Sequence, residues 1–294
     1  MNLMDWPQVK GRIEKDYPLK TLCTWKIGGP GKIVYWPQEQ EDLVRIVLWC
    51  RTQKKPFVLL GRGSNVLLTD EGLNCLVIVS TELKNISWLE NIVQVEAGYP
   101  LMLLARECAK RSLQGLEFAA GIPGTVGGAL AINAGAYGGE IGGLVRELTV
   151  LTPEGKRIVL PREEIAFGYR CSSLQAKKYY ILESTFELQV NDSKILLERI
   201  REFNSKRKNT QPLEFPNAGS VFRNPQGHSA ARLIEAAGWK GYRVGGAQVS
   251  EKHANFIVNR GDAKAAEVRE LIQLIQTDVF HKFGIQLQTE VKMF

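Results

Sequence analysis

The chain has 294 residues, 44% of them hydrophobic and 23% charged, which is the composition of a globular protein with enough length for two or three domains. No apolar run approaches the ~18 residues a bilayer span requires, and the N-terminal MNLMDWPQVK lacks an apolar leader core. The formal charge of +7 admits two readings, a nucleic-acid binder or an enzyme handling anionic small molecules. The cations are dispersed apart from Lys206-Arg207-Lys208, with no aromatic interleaving, which favours small anionic ligands and no nucleic acid.

In chain order, an extended run reaches Gly28-Gly29-Pro30-Gly31 and continues as a strand over 32–36. Leu43, Val44, Val47 and Leu48 give helical spacing over 39–53. A buried strand, Phe57–Leu60, then feeds Gly61-Arg62-Gly63-Ser64-Asn65, followed by the strand-like 66–68 and a strand over 76–79. The Rossmann pattern needs a third glycine and an immediate helix, and neither is present; a Walker A motif is also missing. Successive turn N–H groups with Ser64 and Asn65 still suit a pyrophosphate.

A strand over 92–96 and a helix over 101–113, closed by Gly115, lead into the most unusual stretch, Gly115 to Gly143. It holds ten of the 28 glycines and only two charges, Glu117 and Glu140. Its apolar residues, such as Ile122, Val126 and Tyr137, exclude a flexible linker, so it reads as an ordered, buried loop system around a ligand or, alternatively, as packing turns. Strands at 145–151, 156–160 and 180–190 follow, then a helix over 193–207 and another over 229–237. A helix over 263–283 is expected to start on Asp262 as N-cap and stop at Gly284, before an alternating last strand, 285–292. The fold class is α+β, with a boundary near 190.

Five scattered cysteines without a C-x-x-C pair argue for reduced cytosolic thiols. His228, His253 and His281 lack ligand-like neighbours, so no metal is expected, and no G-x-S-x-G elbow marks a serine hydrolase. Polar residues framed by Gly or Pro are Arg170, Ser220, Arg223 and Asn224, with Glu290 as a further candidate; each has an ordinary surface or turn reading of at least equal weight. Without metal or nucleophile, a cofactor enzyme is where the residues themselves lead.

The segments LGRGSNVLLTD (60–70), GLEFAAGIPGTVGGALAINAGAYGGEIG (115–142), FGYR (167–170), PNAGSVFRNP (216–225), AARLIEAAGWKGYRVGGAQVSEKHANFIVN (230–259) and TEVKMF (289–294) resemble, in order and over nearly the whole chain, the UDP-N-acetylenolpyruvoylglucosamine reductase family. The resemblance implies a bacterial flavoenzyme of peptidoglycan precursor synthesis. It implies a two-part FAD-binding region of the vanillyl-alcohol-oxidase (PCMH) type and a substrate domain. Residues 1–80, with the terminal 285–294, form the first FAD subdomain, 81–190 the second, and 191–284 bind substrate. FAD is non-covalent, held by Gly61, Arg62, Gly63, Ser64 and Asn65 and by Gly121, Pro123, Gly124, Thr125, Gly127, Gly128, Asn133, Gly135, Ala136 and Tyr137.

NADPH is the implied reductant and a UDP-sugar enolpyruvyl ether the substrate, with no membrane insertion and a cytoplasmic location. Ser220 is the implied proton donor; Arg170 and Glu290 polarise the substrate carboxylate; Asn224 and Arg207 bind substrate, Arg207 at the diphosphate. The short CSSLQAKK after FGYR departs from the branch that carries a substrate-clamping tyrosine loop and matches the shorter branch. Two further readings are another FAD oxidoreductase of the same fold acting on a sugar or alcohol, and a basic nucleic-acid-binding protein.

Overall fold

A computed structural model describes residues 6–294; the first five, part of the stretch read for a leader, lie outside them. The chain forms two compact units, one of residues up to Lys15, Ile33–Arg62 and Cys75–Ser205, the other of Asp16–Lys32, Gly63–Asn74 and Lys206–Phe294.

The first unit has two buried cores. In one, helix α1 (Gln40–Thr52) turns Leu43, Ile46, Val47 and Cys50 inward at three- and four-residue spacing, against Ile33, Tyr35, Leu76 and Ile78. Strand Phe57–Leu60 runs parallel to the strand Leu73–Val79, Phe57 opposite Leu76 and Leu60 opposite Val79. A parallel pair needs its apolar residues on both faces, which explains the unbroken FVLL and LVIV runs. Asp42, fully buried on α1, accepts the backbone N–H groups of Lys10 and Gln38 and so ties down the incoming chain.

The second core lies on a five-stranded antiparallel sheet in the order Arg157–Pro161, Val145–Leu151, Tyr180–Glu187, Ile92–Glu96, Ile86–Leu89. Helix α2 (Leu101–Lys110) buries Leu101, Leu104, Ala105 and Cys108. The helix expected to run to 113 and close at Gly115 ends at Lys110. Leu113, 3% exposed, is instead paired with Val190 in a two-stranded ladder, because a buried ladder position satisfies both its side chain and its peptide.

The glycine-rich stretch also differs from the expected loop system. It contains a 3-10 turn (Glu117–Gly121), helix α3 (Val126–Ala131) and a tight hairpin of Gly135–Ala136 with Gly139–Glu140. Val126, Ala129 and Leu130 supply the apolar side that lets so glycine-rich a segment stay helical. Helices α4 (Ser173–Ala176) and α5 (Ser193–Thr210) follow, α5 three residues longer than its periodicity indicates.

In the second unit, helix α6 (Ala230–Ala236) precedes a meander of strands Arg243–Val244, Ala247–Val249 and Ile257–Asn259. Helix α7 (Ala265–Phe283) buries Val268, Leu271, Ile272, Ile275 and Val279 and ends on Gly284 at φ 69°, as expected. Its start is not capped by Asp262. Lys264 is the N-cap residue, Glu267 reaches back to its N–H at 2.9 Å, and the Asp70 carboxylate accepts the N–H groups of Ala265 (2.8 Å) and Ala266 (3.0 Å). A carboxylate belongs where the first N–H groups of a helix lack partners, and here it comes from a distant loop.

The last strand is also shorter than expected. Lys292–Met293 pairs in parallel with Val66–Leu67, and upstream of it only a bridge of Thr289 to Phe222 is formed. Alternation indicates extended backbone, whereas a ladder also needs a continuous partner, and two short partners are what the segment meets.

Candidate active site

The first glycine-rich loop leaves strand Phe57–Leu60 at Gly61. A Cβ on Gly61 would lie 2.3 Å from the Thr125 Oγ1, so the two glycine-rich loops are in direct contact at a point where no side chain fits. Gly63 takes φ 62° and its carbonyl accepts the Thr24 N–H at 3.1 Å; a Cβ there would meet the Leu22 carbonyl at 2.1 Å. Beside it, the Thr24 hydroxyl is buried with no hydrogen-bond partner among the described residues.

In the second loop, Gly121, Ile122 and Pro123 lead through Gly124 (φ 152°) to Thr125, which caps α3 by accepting the Gly128 N–H at 3.3 Å. Gly127 packs on Ala97, whose Cβ would lie 2.7 Å from an added Cβ, while Gly128 faces only Thr125 Oγ1. Asn133, 1% exposed and at φ 48°, donates to Glu140 (2.8 Å) and the Gly168 carbonyl (3.0 Å) and accepts from Gly142 (3.0 Å). Its amide therefore fixes the loop's own shape. Ala136 precedes a two-residue turn, Tyr137 (φ 54°) and Gly138 (φ 85°), the paired positive angles of a tight hairpin. Tyr137 stacks on Phe203 of α5, with centroids 4.6 Å apart and planes 1° from parallel, and its hydroxyl donates to the Phe203 carbonyl at 3.2 Å.

Arg170 occupies the tip of a second hairpin, Phe167–Gly168 against Cys171–Ser172, at φ 55°. A left-handed arginine is uncommon and costs of order 1 kcal/mol or more, strain that accumulates at functional positions. Its Nη2 donates to the Gly135 carbonyl at 2.9 Å, and Asn133 holds Gly168, so the glycine-rich stretch grips this hairpin at two points.

In the second unit, Ser220 is half-buried and follows Gly219, which has φ 77° and open space where a Cβ would stand. The Glu290 N–H donates to the Val221 carbonyl at 2.8 Å, and the Asn65 amide donates to the Glu290 carbonyl at 3.1 Å. The Ser220 and Glu290 segments are thus neighbours, locked to the end of the first glycine-rich loop that carries Ser64. Asn224 is exposed and its Oδ1 accepts the Ala230 N–H at 3.0 Å at the start of α6, whose N-cap is Ser229; Arg223 places its N–H on the Gln288 carbonyl at 2.9 Å. Arg207 lies in the last turns of α5.

Three positions escaped the sequence reading. Asn255, 4% exposed, binds the backbone of Val221 and Phe222 on the side opposite Glu290. Thr24 lies beside Gly63, and Asp70 caps α7. The only hint was an asparagine inside the apolar run ANFIV, where a buried amide must have a structural task.

Burial pushes the Cys50 and Cys108 thiols up to about 12, which leaves them protonated and inert at neutral pH. Among the described residues no cluster of His, Cys, Asp and Glu could hold a metal ion, and no helix is long and apolar enough to cross a membrane.

Residues 31–160 match the family described as an FAD binding domain, and residues 211–294 match the UDP-N-acetylenolpyruvoylglucosamine reductase C-terminal domain. A Clostridium botulinum protein named UDP-N-acetylenolpyruvoylglucosamine reductase is 41% identical over 278 residues, 95% of this chain and 91% of its own. One of the same name from Caldicellulosiruptor bescii is 42% identical over 280 residues, 95% of this chain and 89% of its own. The crystal structure of UDP-N-acetylenolpyruvylglucosamine reductase (MurB) from Thermus caldophilus superposes with a TM-score of 0.83 at 34% identity, covering 98% of this chain and all of that one.

Fold, loops and matches define an FAD-binding oxidoreductase of mixed α+β structure. Within that class, the chain belongs to the UDP-N-acetylenolpyruvoylglucosamine reductase (MurB) family.

Proposed function

We propose that this chain reduces the enolpyruvyl ether of UDP-N-acetylglucosamine-enolpyruvate to UDP-N-acetylmuramate with NADPH, a step of peptidoglycan precursor synthesis in the cytoplasm. The observation that carries the reading is identity above 40% to named reductases along 95% of the chain.

The residues present fit FAD. Gly61 and Thr125 meet with no room for a side chain, residues 121–139 carry no charged group, and the buried Thr24 hydroxyl beside Gly63 still has a hydrogen bond to make. In the first unit the close approach at Gly61 and Thr125 and the uncharged 121–139 stretch suit a diphosphate, and in the second unit the Thr24 hydroxyl does so by itself. We assign Gly61–Asn65 and the 121–137 stretch to that task, with Asn133 acting by shaping the loop. When bound, FAD supplies the hydride carrier between NADPH and the vinyl carbon of the substrate.

Arg170 and Glu290 oppose the negative charge that builds on the substrate carboxylate. The Ser220 hydroxyl then delivers a proton to the carbon bearing that carboxylate. Serine is a weak acid and suits only a strongly basic acceptor such as an enolate carbon; positioned proton transfer contributes about 10²–10⁴ in rate. Asn224 and Arg207 contact the substrate, Arg207 at its diphosphate, in keeping with the positive charge of the chain. The reading keeps FAD subdomains at 1–80 and 81–190, for which the two separate cores of the first unit are the support, and a substrate domain at 191–284. No nucleic-acid partner is part of this reading.

Purified protein supplied with FAD is expected to show a flavin band near ~450 nm and to oxidise NADPH only when the enolpyruvyl substrate is added. Colourless protein, or NADPH oxidation driven by oxygen at the same rate without substrate, overturns the assignment.

A further inference from the structure

A serine that donates a proton must hold its hydroxyl still, yet Ser220 lies in a segment, 211–228, that forms no helix or strand longer than a single bridge after α5 ends at Thr210. Its rigidity has to come from specific hydrogen bonds. Upstream, the Gly219 N–H is taken by Asn217 Oδ1 at 3.0 Å. Downstream, one residue makes three of the bonds, two of them through its side chain. Asn255 accepts the Val221 N–H through its backbone carbonyl (2.8 Å) and the Phe222 N–H through Oδ1 (2.9 Å), and donates Nδ2–H to the Phe222 carbonyl (2.8 Å).

The amide thereby reproduces the donor and acceptor pair of a neighbouring strand where no strand is available. Asn255 is 4% exposed, so water does not compete for these bonds, and its own N–H is fixed on His253 Nδ1 at 3.3 Å. On the opposite edge, Glu290 and Gln288 hold Val221 and Arg223. The two residues after Ser220 are therefore clamped from both sides, and among the described residues only Asn255 reaches them with a side chain that must both accept and donate.

We infer that Asn255 is the positioning residue for the Ser220 hydroxyl. The inference rests on Ser220 being the proton donor. An aspartate in its place can accept from Phe222 but donates to the carbonyl only when protonated, and leucine can do neither. Because a misplacement near 1 Å can cost about 10²-fold, loss of the clamp should appear in the step that uses the hydroxyl and not in the step that does not.

The experiment is stopped flow on the FAD-loaded protein in two parts, reduction by NADPH and then anaerobic re-oxidation by the enolpyruvyl substrate, with rates counted per bound flavin. Asn255→Leu is expected to slow re-oxidation by about 10²-fold and to leave reduction within about twofold. Asn255→Asp is expected to recover re-oxidation as the pH is lowered, approaching wild type when its carboxyl gains the proton that Phe222 requires. Should Asn255→Leu not fold, the pH profile of Asn255→Asp decides. Ser220→Ala, run alongside, separates the two ideas. Slow re-oxidation in Ser220→Ala, with Asn255→Asp following the wild-type pH profile or with both half-reactions of an Asn255 variant slowed equally, overturns the positioning role. Normal re-oxidation in Ser220→Ala overturns the proton-donor reading itself.

Discussion

The Asn65 amide donates to the Glu290 carbonyl at 3.1 Å, so the loop assigned to the cofactor also holds the segment assigned to the substrate carboxylate. Residues 225 apart in sequence share one hydrogen bond, and the Lys292 N–H returns to the Asn65 carbonyl at 3.1 Å. Asn65→Ala is expected to lower stability by about 0.5–1.5 kcal/mol. It is also expected to weaken FAD binding and to slow re-oxidation by substrate together. Flavin titration and stopped flow on one variant check this; a change in only one of the two contradicts the shared role.

Gly61 and Thr125 give a test of loop contact. Gly61→Ala places a methyl 2.3 Å from the Thr125 Oγ1 and is expected to cost about 1–3 kcal/mol and to weaken FAD binding. Thr125→Ala loses the α3 cap, about 1 kcal/mol, but removes the clashing oxygen. The double variant should therefore be more stable than the two single losses added together, read from urea midpoints as a coupling energy.

Asp70 reaches α7 from outside the helix. Asp70→Ala removes the acceptor of two N–H groups and is expected to destabilise by about 1–2 kcal/mol, whereas Asp262→Ala should change little. Chemical denaturation of the two variants distinguishes the caps.

His253 sets a pH dependence. Burial, chiefly, lowers its pKa from 6.5; Lys240 adds to the lowering and Glu235, with the backbone of His253 itself, opposes it. The unfolded chain then binds the proton at higher pH than the folded one. The contribution to stability is full above pH 6.5 and is lost as pH falls from there through the lower folded value. Protonation also replaces the acceptor of the Asn255 N–H with a donor. Urea unfolding against pH should show the loss in wild type and a flatter profile in His253→Gln.

Much of the framework was legible because it is periodic. Phe57–Leu60 is an unbroken apolar run and Ile92–Glu96 an alternating one, and α7 carries its buried residues at helical spacing. What escaped depends on residues far apart. The cap of α7 comes from Asp70, the clamp on Phe222 from Asn255, and the partner of the last strand from Val66 and Leu67.

Composition marked the glycine-rich stretch but could not divide its glycines by task. Gly127, Gly135 and Gly142 lie against protein atoms at 2.5–2.7 Å from an added Cβ, while Gly138 and Gly143 meet nothing within 4 Å. The packing reading accounts for the first three of these, while the last two stand in open space. Ser220 and Glu290 were legible as motif positions; that their segments adjoin was not, because the Glu290 N–H and the Val221 carbonyl meet only in the folded chain.

Ser220 is proposed to supply the proton after hydride reaches the substrate. Single-turnover re-oxidation of NADPH-reduced, FAD-loaded Ser220→Ala by the enolpyruvyl substrate tests it most directly. Reduction by NADPH is expected to be unchanged and re-oxidation to be slowed by about 10²–10⁴-fold. Re-oxidation at the wild-type rate would contradict it.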